Sequence, residues 1–291
     1  MGGGYGQIAY VSSREGVPQI YLFDIASGRE SKITELPEGA CQPSWSPDGK
    51  RLVFISPCGG KEEIYYNAGL YILNGDGSGL TPIETVPGGD FDPAWSPDGR
   101  SIAFTSLRTG QMEIFIVNLD DPSNPVQITQ GSLSIDSRQP AWSPDGSQIA
   151  YAVERVGGVY QIWLMNADGT GQMQIVRSGV AFTDYLPTWS PDGKLILFNQ
   201  RCATKFCAPY LMTISSADRS VQQGTPLRFN IITIENADYS PDGLFLTYEG
   251  GETGENNDIF YMDIAGTNRT RVTSDPSLDF HPAWRPFQTT P

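Results

Sequence analysis

The sequence predicts an all-β fold: a six-bladed β-propeller of four-stranded antiparallel blades, its ring closed by a C-terminal strand that completes the N-terminal blade. Three observations predict it. A turn-and-strand unit recurs at intervals of 50, 47, 47, 50 and 45 residues, the period of one propeller blade. The chain begins and ends on complementary fragments of that unit. Glycine and proline together reach about 19% of the residues against roughly 12% in average usage, too punctuated for a helical bundle and without collagen's strict period.

The unit reads Trp45-Ser46-Pro47-Asp48-Gly49-Lys50, then Trp95-Ser96-Pro97-Asp98-Gly99-Arg100, Trp142-Ser143-Pro144-Asp145-Gly146-Ser147 and Trp189-Ser190-Pro191-Asp192-Gly193-Lys194. A fifth copy, Tyr239-Ser240-Pro241-Asp242-Gly243-Leu244, has Tyr for Trp, and a degenerate sixth is Trp284-Arg285-Pro286. Ser-Pro-Asp-Gly is turn chemistry: proline presets φ, aspartate favours the next position and glycine takes the left-handed one. An alternating apolar strand follows, as in Ser101-Ile102-Ala103-Phe104. A polar loop then leads to a β-rich run such as Glu113-Ile114-Phe115-Ile116-Val117. A second turn, such as Asn166-Ala167-Asp168-Gly169, precedes a short outer strand near Gln174-Ile175-Val176, making four strands per repeat.

At the N-terminus, Gln7-Ile8-Ala9-Tyr10 matches a blade's second strand with no turn motif ahead of it. At the C-terminus, His281-Pro282-Ala283-Trp284 is a first strand whose Asp-Gly turn is missing. Together they make one blade, which removes exposed sheet edges. The expected blades are 5–36 joined to 279–288, then 40–86, 90–131, 137–178, 184–230 and 234–275, in a single propeller domain over 1–291.

The unit Pro93-Ala94-Trp95-Ser96-Pro97-Asp98-Gly99-Arg100 followed by Ile102-Ala103-Phe104 resembles the repeat of the TolB-like six-bladed propellers. The resemblance covers about residues 5–288, and closure by a C-terminal first strand is also similar to that family. It is a resemblance to the propeller part alone, because the additional N-terminal α/β domain of TolB has no counterpart here. The lipoprotein partner of TolB therefore does not carry over automatically.

The formal net charge of −14 argues against nucleic acid as a partner. No apolar run approaches the ~18 residues of a membrane span. The start, Met1-Gly2-Gly3-Gly4-Tyr5, reads as a cut edge rather than a secretory signal, with any native targeting segment removed. The four cysteines fall into two close pairs, Cys41 with Cys58 and Cys202 with Cys207, without zinc-knuckle spacing. A hairpin centred on Asp48-Gly49 brings Cys41 and Cys58 close together. Disulfides are the expectation for both pairs, against the alternative of four buried thiols. They imply a periplasmic or extracellular location, and the chain is expected to be a monomer.

The first strand of each blade lines a propeller's channel. Three residues ahead of each motif aromatic stand Gln42, Asp92, Gln139, Leu186, Asn236 and His281. Five ahead stand Ala40, Asp90, Ser137, Asp184, Ile234 and Asp279. These give a candidate ligand-binding mouth at Gln42, Asp90, Asp92, Gln139, Asp184, Asn236, Asp279 and His281, or merely the polar lining that any wet channel needs. Asp90 and Asp92 offer oxygens to calcium or another divalent cation, but form an incomplete shell, and no cofactor is expected. Arg14, Arg108, Arg155 and Arg201, read as equivalent positions after the second strand, form either a cationic rim for carboxylates or structural braces. The Asn74-Gly75-Asp76-Gly77 segment reads as turn chemistry rather than a calcium loop.

No Gly-x-Ser-x-Gly elbow, phosphate loop or His-Glu-x-x-His motif is present, and the chain has one histidine. The leading expectation is a non-enzymatic module that binds a protein or peptide at the channel mouth. The other reading is a metal-dependent glycan-binding or glycan-cleaving protein using the acidic mouth.

Overall fold

A computed structural model describes residues 6–83, 88–129, 135–155, 158–177, 181–202, 210–217, 220–227, 233–251 and 257–287. Blade 1 contains β1 (Gln7–Ser12), β2 (Gln19–Asp24) and β3 (Arg29–Lys32). Blade 2 is β4 (Cys41–Trp45), β5 (Arg51–Ser56), β6 (Gly69–Asn74) and β7 (Thr81–Pro82). Blade 3 is β8 (Asp90–Trp95), β9 (Ser101–Ser106), β10 (Glu113–Asn118) and β11 (Asp121–Gln127). Blade 4 is β12 (Ser137–Trp142), β13 (Gln148–Arg155), β14 (Val159–Asn166) and β15 (Met173–Gln174). Blade 5 is β16 (Phe182–Trp189), β17 (Leu195–Cys202), β18 (Tyr210–Ser215) and β19 (Thr225–Pro226). Blade 6 is β20 (Glu235–Tyr239), β21 (Phe245–Gly250), β22 (Asp258–Asp263) and β23 (Thr270–Arg271), and β24 (Asp279–Trp284) returns to blade 1.

The six sheets are four-stranded, and the first has the order β24-β1-β2-β3, so the last strand closes the ring against the first. Ile8 faces Trp284 and Ser12 faces Asp279 across that seam. Burial falls from the second strand outward. Five of the six residues of β1, β5 and β9 are buried, whereas β3 is almost wholly exposed. A blade packs on a neighbour through both faces, so its second strand is apolar on both sides; the outer strand meets water.

The repeated turn is hydrogen-bonded in the same way in five blades. In blade 2 the Ser46 hydroxyl donates to Asp48 Oδ1 at 2.6 Å, which also accepts the Lys50 N–H at 3.0 Å. The Arg51 N–H returns to Ser46 Oγ at 2.9 Å, and Gly49 sits at φ +64°. A Cβ at Gly49 would lie 2.6 Å from the Pro286 carbonyl of the closing segment, so glycine is required there twice over.

The inner strands share one irregularity that builds the channel. Each carries a β-bulge in which two residues oppose one, as where Gln42 and Pro43 stand between the Cys41↔Ile55 and Ser44↔Val53 pairs. The first bulge residue is left-handed in every blade: Gln42, Asp92, Gln139, Leu186, Asn236 and His281 have φ between 49 and 57°. A proline follows in five of the six, and a bulge is where a missing N–H costs the ladder nothing.

Candidate functional site

These six left-handed residues form the waist of the channel. Their N–H groups are lifted out of the ladder and need acceptors, and in five blades the preceding blade supplies one. Asp92 N–H donates to Gln42 Oε1 at 2.7 Å while Gln42 Nε2 donates to Asp92 Oδ1 at 2.8 Å. Leu186 N–H donates to Gln139 Oε1 at 2.9 Å. Gln139 and Asn236 N–H groups reach Thr105 Oγ1 and Asn199 Oδ1 on the second strands β9 and β17. His281 N–H donates to Glu249 Oε1 on β21 at 2.8 Å. The amides are thus used at least partly to brace one blade on the next, which accounts for their recurrence.

Cavities lie on both sides of the waist, and the same six residues line each. The larger, about 640 Å³, is walled by the prolines, small residues and aromatic edges of the repeated motif. The smaller, about 220 Å³, lies toward the segment joining β5 to β6, Pro57 to Ala68. This segment covers the channel end. The Lys61 ammonium crosses to blade 6, where it pairs with Glu235 Oε2 at 2.9 Å and with the fully buried Glu249. Arg138 donates to the Glu63 carbonyl, and Arg201 pairs with the Glu63 carboxylate at 2.6 Å. Tyr65 packs near Phe91 and His281.

The Cys41–Cys58 disulfide fastens the root of this plug, with Cα atoms 5.9 Å apart. Cys202 is also disulfide-bonded, while Cys207 lies outside the described residues. Replacing Cys41 and Cys58 by serine should lower stability by about 3 kcal/mol, given the size of the loop they close. Denaturant melts of the double variant against the oxidised protein would measure it.

Burial and charge set the protonation of the site. Burial, reinforced by Lys61, pushes His281 down to about 3, so the imidazole is neutral near pH 7. Burial would lower the Lys61 ammonium, but Glu249 and Glu235 outweigh it and hold the group charged well beyond its usual range. Burial would raise Glu235, yet Lys61 and the Tyr185 hydroxyl, 2.6 Å away, bring it below the usual carboxylate range. Lys61 and Glu235 are therefore both charged through the neutral range and latch the plug to blade 6: Lys61 favours folding until pH climbs past its ordinary value, and Glu235 until pH falls below its own.

The sequence candidates separate into two groups. Gln42, Asp92, Gln139, Asn236 and His281 line the channel. Asp90, Asp184 and Asp279 do not line either cavity; they are buried within their blades. Asp90 accepts the Ser106 hydroxyl at 2.6 Å and pairs with Arg108 at 3.1 Å. Asp184 accepts Gln200 Nε2 at 2.6 Å. Burial raises Asp279 to about 6, against the lowering effect of the Ser12 and Thr273 hydroxyls.

The arginines are not equivalent. Arg14, Arg108 and Arg155 lie two residues beyond the sixth position of the second strand, but Arg201 lies one beyond it. Arg14 bonds Ser12 Oγ at 2.9 Å and pairs with Glu30 at 2.7 Å, with its guanidinium 4.4 Å above the Tyr21 ring. Arg108 repeats the arrangement on Ser106, Asp90 and the Phe115 ring. Arg155 is exposed and bonds Gln161 Oε1 at 3.2 Å. The one-residue offset turns Arg201 to the plug and the smaller cavity. Arg108→Ala should cost about 3 kcal/mol by stranding the buried Asp90 charge. Arg201→Ala, at a half-exposed pair, should cost under about 1 kcal/mol. Thermal melts of the two variants distinguish brace from rim.

Sequence reasoning missed Lys61, Glu235 and Glu249, which meet only across the ring. It also missed Asp238, which lines the larger cavity and accepts the Trp284 N–H at 2.8 Å. Burial raises its carboxyl to about 6 against the lowering effect of that bond and of the Tyr239 N–H. Among the described residues no group of three or more His, Cys, Asp or Glu is placed to hold a metal ion. No helix among them is long and apolar enough to cross a membrane.

Residues 4–231 match the family described as the TolB beta propeller domain. The chain belongs to the TolB β-propeller family. A 59-residue stretch is 37% identical to the Tol-Pal system protein TolB of Gluconobacter oxydans, covering 20% of this chain and 13% of that protein. A 58-residue stretch is 36% identical to the uncharacterized peptidase YuxL of Bacillus subtilis, covering 20% of this chain and 9% of the other. Both matches thus span a small part of the relatives' lengths. Among solved structures, TolB from Acinetobacter baumannii superposes with a TM-score of 0.77 at 21% identity, over 97% of this chain and 67% of that one. Kuenenia stuttgartiensis hydrazine synthase gives 0.76 at 16%, over 97% and 47%. An oligogalacturonate lyase in complex with manganese gives 0.61 at 14%, over 91% and 73%. At these identities the likeness is one of fold alone, and that fold is shared with a synthase and a lyase.

Proposed function

We propose that this TolB-family propeller is a non-enzymatic binding module whose partner is a protein or peptide engaged at the channel. The observation that carries the reading is the larger half of the channel, about 640 Å³, walled by proline, small side chains and aromatic edges and floored by the waist residues. Such walls suit an extended polypeptide, and the waist offers it amides for orientation. Of the eight candidate contacts, Gln42, Asp92, Gln139, Asn236 and His281 are the ones within its reach. A buried disulfide and an acidic body fit a monomer acting in the periplasm or outside the cell, away from nucleic acid. Family membership supports a binding role in general.

Random peptides displayed on phage should be enriched on the wild-type protein and not on Ala94→Trp, which places an indole on the channel wall. Failure to enrich, or enrichment that ignores Ala94→Trp, would sink the reading. Oligosaccharide turnover by metal-loaded protein would replace it with the glycan reading.

A further inference from the structure

Asp238 occupies a position that is small everywhere else. The residue before the motif aromatic is Ser44, Ala94, Ala141, Thr188 or Ala283 in the other blades. Blade 6 instead places a carboxylate on the wall of the open cavity, with Oδ2 bonded to the Trp284 N–H at 2.8 Å.

Four other acids around the channel have cationic neighbours. Asp92 lies 3.8 Å from Arg138, Glu235 and Glu249 share Lys61, and Glu63 pairs with Arg201. Among the described residues no lysine or arginine pairs with Asp238. The plug end thus already holds an alkylammonium in an acidic cradle, supplied by the chain itself, and the open end has an acid without one.

We propose that the open half of the channel receives the free N-terminal segment of a polypeptide, its ammonium group set against Asp238. This rests on the peptide-binding reading above and names the chemistry of the partner. A carboxylate enclosed by apolar walls attracts a cation far more strongly than one in bulk water, and it repels a C-terminal carboxylate. The net charge of −14 draws cationic segments toward the protein. An end enters rather than a passing chain, because Lys61, Glu63 and Tyr65 cover the far side of the waist. A cavity of about 640 Å³ also takes several residues rather than one side chain.

The test uses random hexapeptide mixtures without lysine or arginine, labelled at an amidated C-terminus and made with free or acetylated N-termini. Retention by immobilised protein is read by fluorescence and mass spectrometry. Free-amine peptides should be retained at least tenfold better than acetylated ones, and Asp238→Asn should erase the difference while keeping an acceptor for the Trp284 N–H. The acetylation contrast on unmodified protein needs no variant, so it holds even if Asp238→Asn folds poorly. Equal retention of both mixtures, lost on Ala94→Trp, would overturn the ammonium assignment and leave peptide binding standing. Equal retention of an acetylated mixture carrying one lysine would overturn the assignment to a chain end. Retention of no mixture, or retention that ignores Ala94→Trp, would overturn both.

Discussion

Glu249→Ala should destabilise the protein by about 3–5 kcal/mol and lower its melting temperature by roughly 10 °C. The carboxylate is fully buried and collects donors from three directions. Oε1 accepts the Asn236 amide at 2.9 Å and the His281 N–H at 2.8 Å, and Oε2 accepts the Lys61 ammonium. Removing it leaves the partly buried Lys61 with Glu235 alone and strands the N–H of a left-handed bulge, so the plug and the waist loosen at once. Glu249→Gln keeps an acceptor for His281 and should cost less. A double-mutant cycle with Lys61→Met isolates the ion pair. Calorimetry of the four proteins is the measurement, and a loss below 1 kcal/mol for Glu249→Ala would show that the plug is not fastened there.

Removing residues 279–291 should abolish cooperative folding altogether. The deletion takes away β24, with the fully buried Phe280 and the nearly buried Trp284. It leaves β1 as an open edge whose Ile8, Ala9, Tyr10 and Val11 are fully buried in the intact ring. An edge of that kind pairs with other chains, so the expected product is aggregate. A permutant that links the two ends by a short loop and opens the chain near Pro37 keeps every ladder and should melt as the parent does. Circular dichroism melts and gel filtration of the pair separate loss of closure from loss of sequence. A monomeric, cooperatively melting truncation would contradict the closure argument.

The blades were legible in the sequence because one turn, with its own internal hydrogen bonds from Ser46 to Asp48 and Arg51, is written almost unchanged five times. Closure was legible because the end fragments complement each other. The channel was legible only as positions: Gln42 and its equivalents fall on the waist, but nothing local reveals the left-handed bulge or the bonds that tie each to the next blade. Asp90, Asp184 and Asp279 were placed at the mouth because alternate residues of an ideal strand share a face. The bulge between them and the aromatic breaks that alternation, and they turn into the blade. Arg201 differs in register by one residue because it lies inside β17, which runs two residues longer than β1 and β9 and pairs it with Thr183. The Lys61 latch lay beyond local reading, since Glu235 and Glu249 are 174 and 188 residues away. Two hints existed: the connection from Pro57 to Ala68 is long beside that from Leu107 to Met112, and Glu249 stands where other second strands carry Thr105, Asn199 or an apolar residue.

The seam in blade 1 also decides how the ring responds to pulling. Ile8 faces Trp284, and the Arg285 N–H reaches the Gln7 carbonyl at 2.8 Å, so the two ends of the propeller leave side by side from the same end of one antiparallel ladder. Tension applied through both ends loads that ladder bond by bond, as a zipper, rather than sharing the load across all its bonds as in shear. The strand pair that guards the fold against heat is therefore the first to part under force. What opens is a C-shaped row of blades with β24 hanging free, a mechanical fuse at a defined place in the molecule.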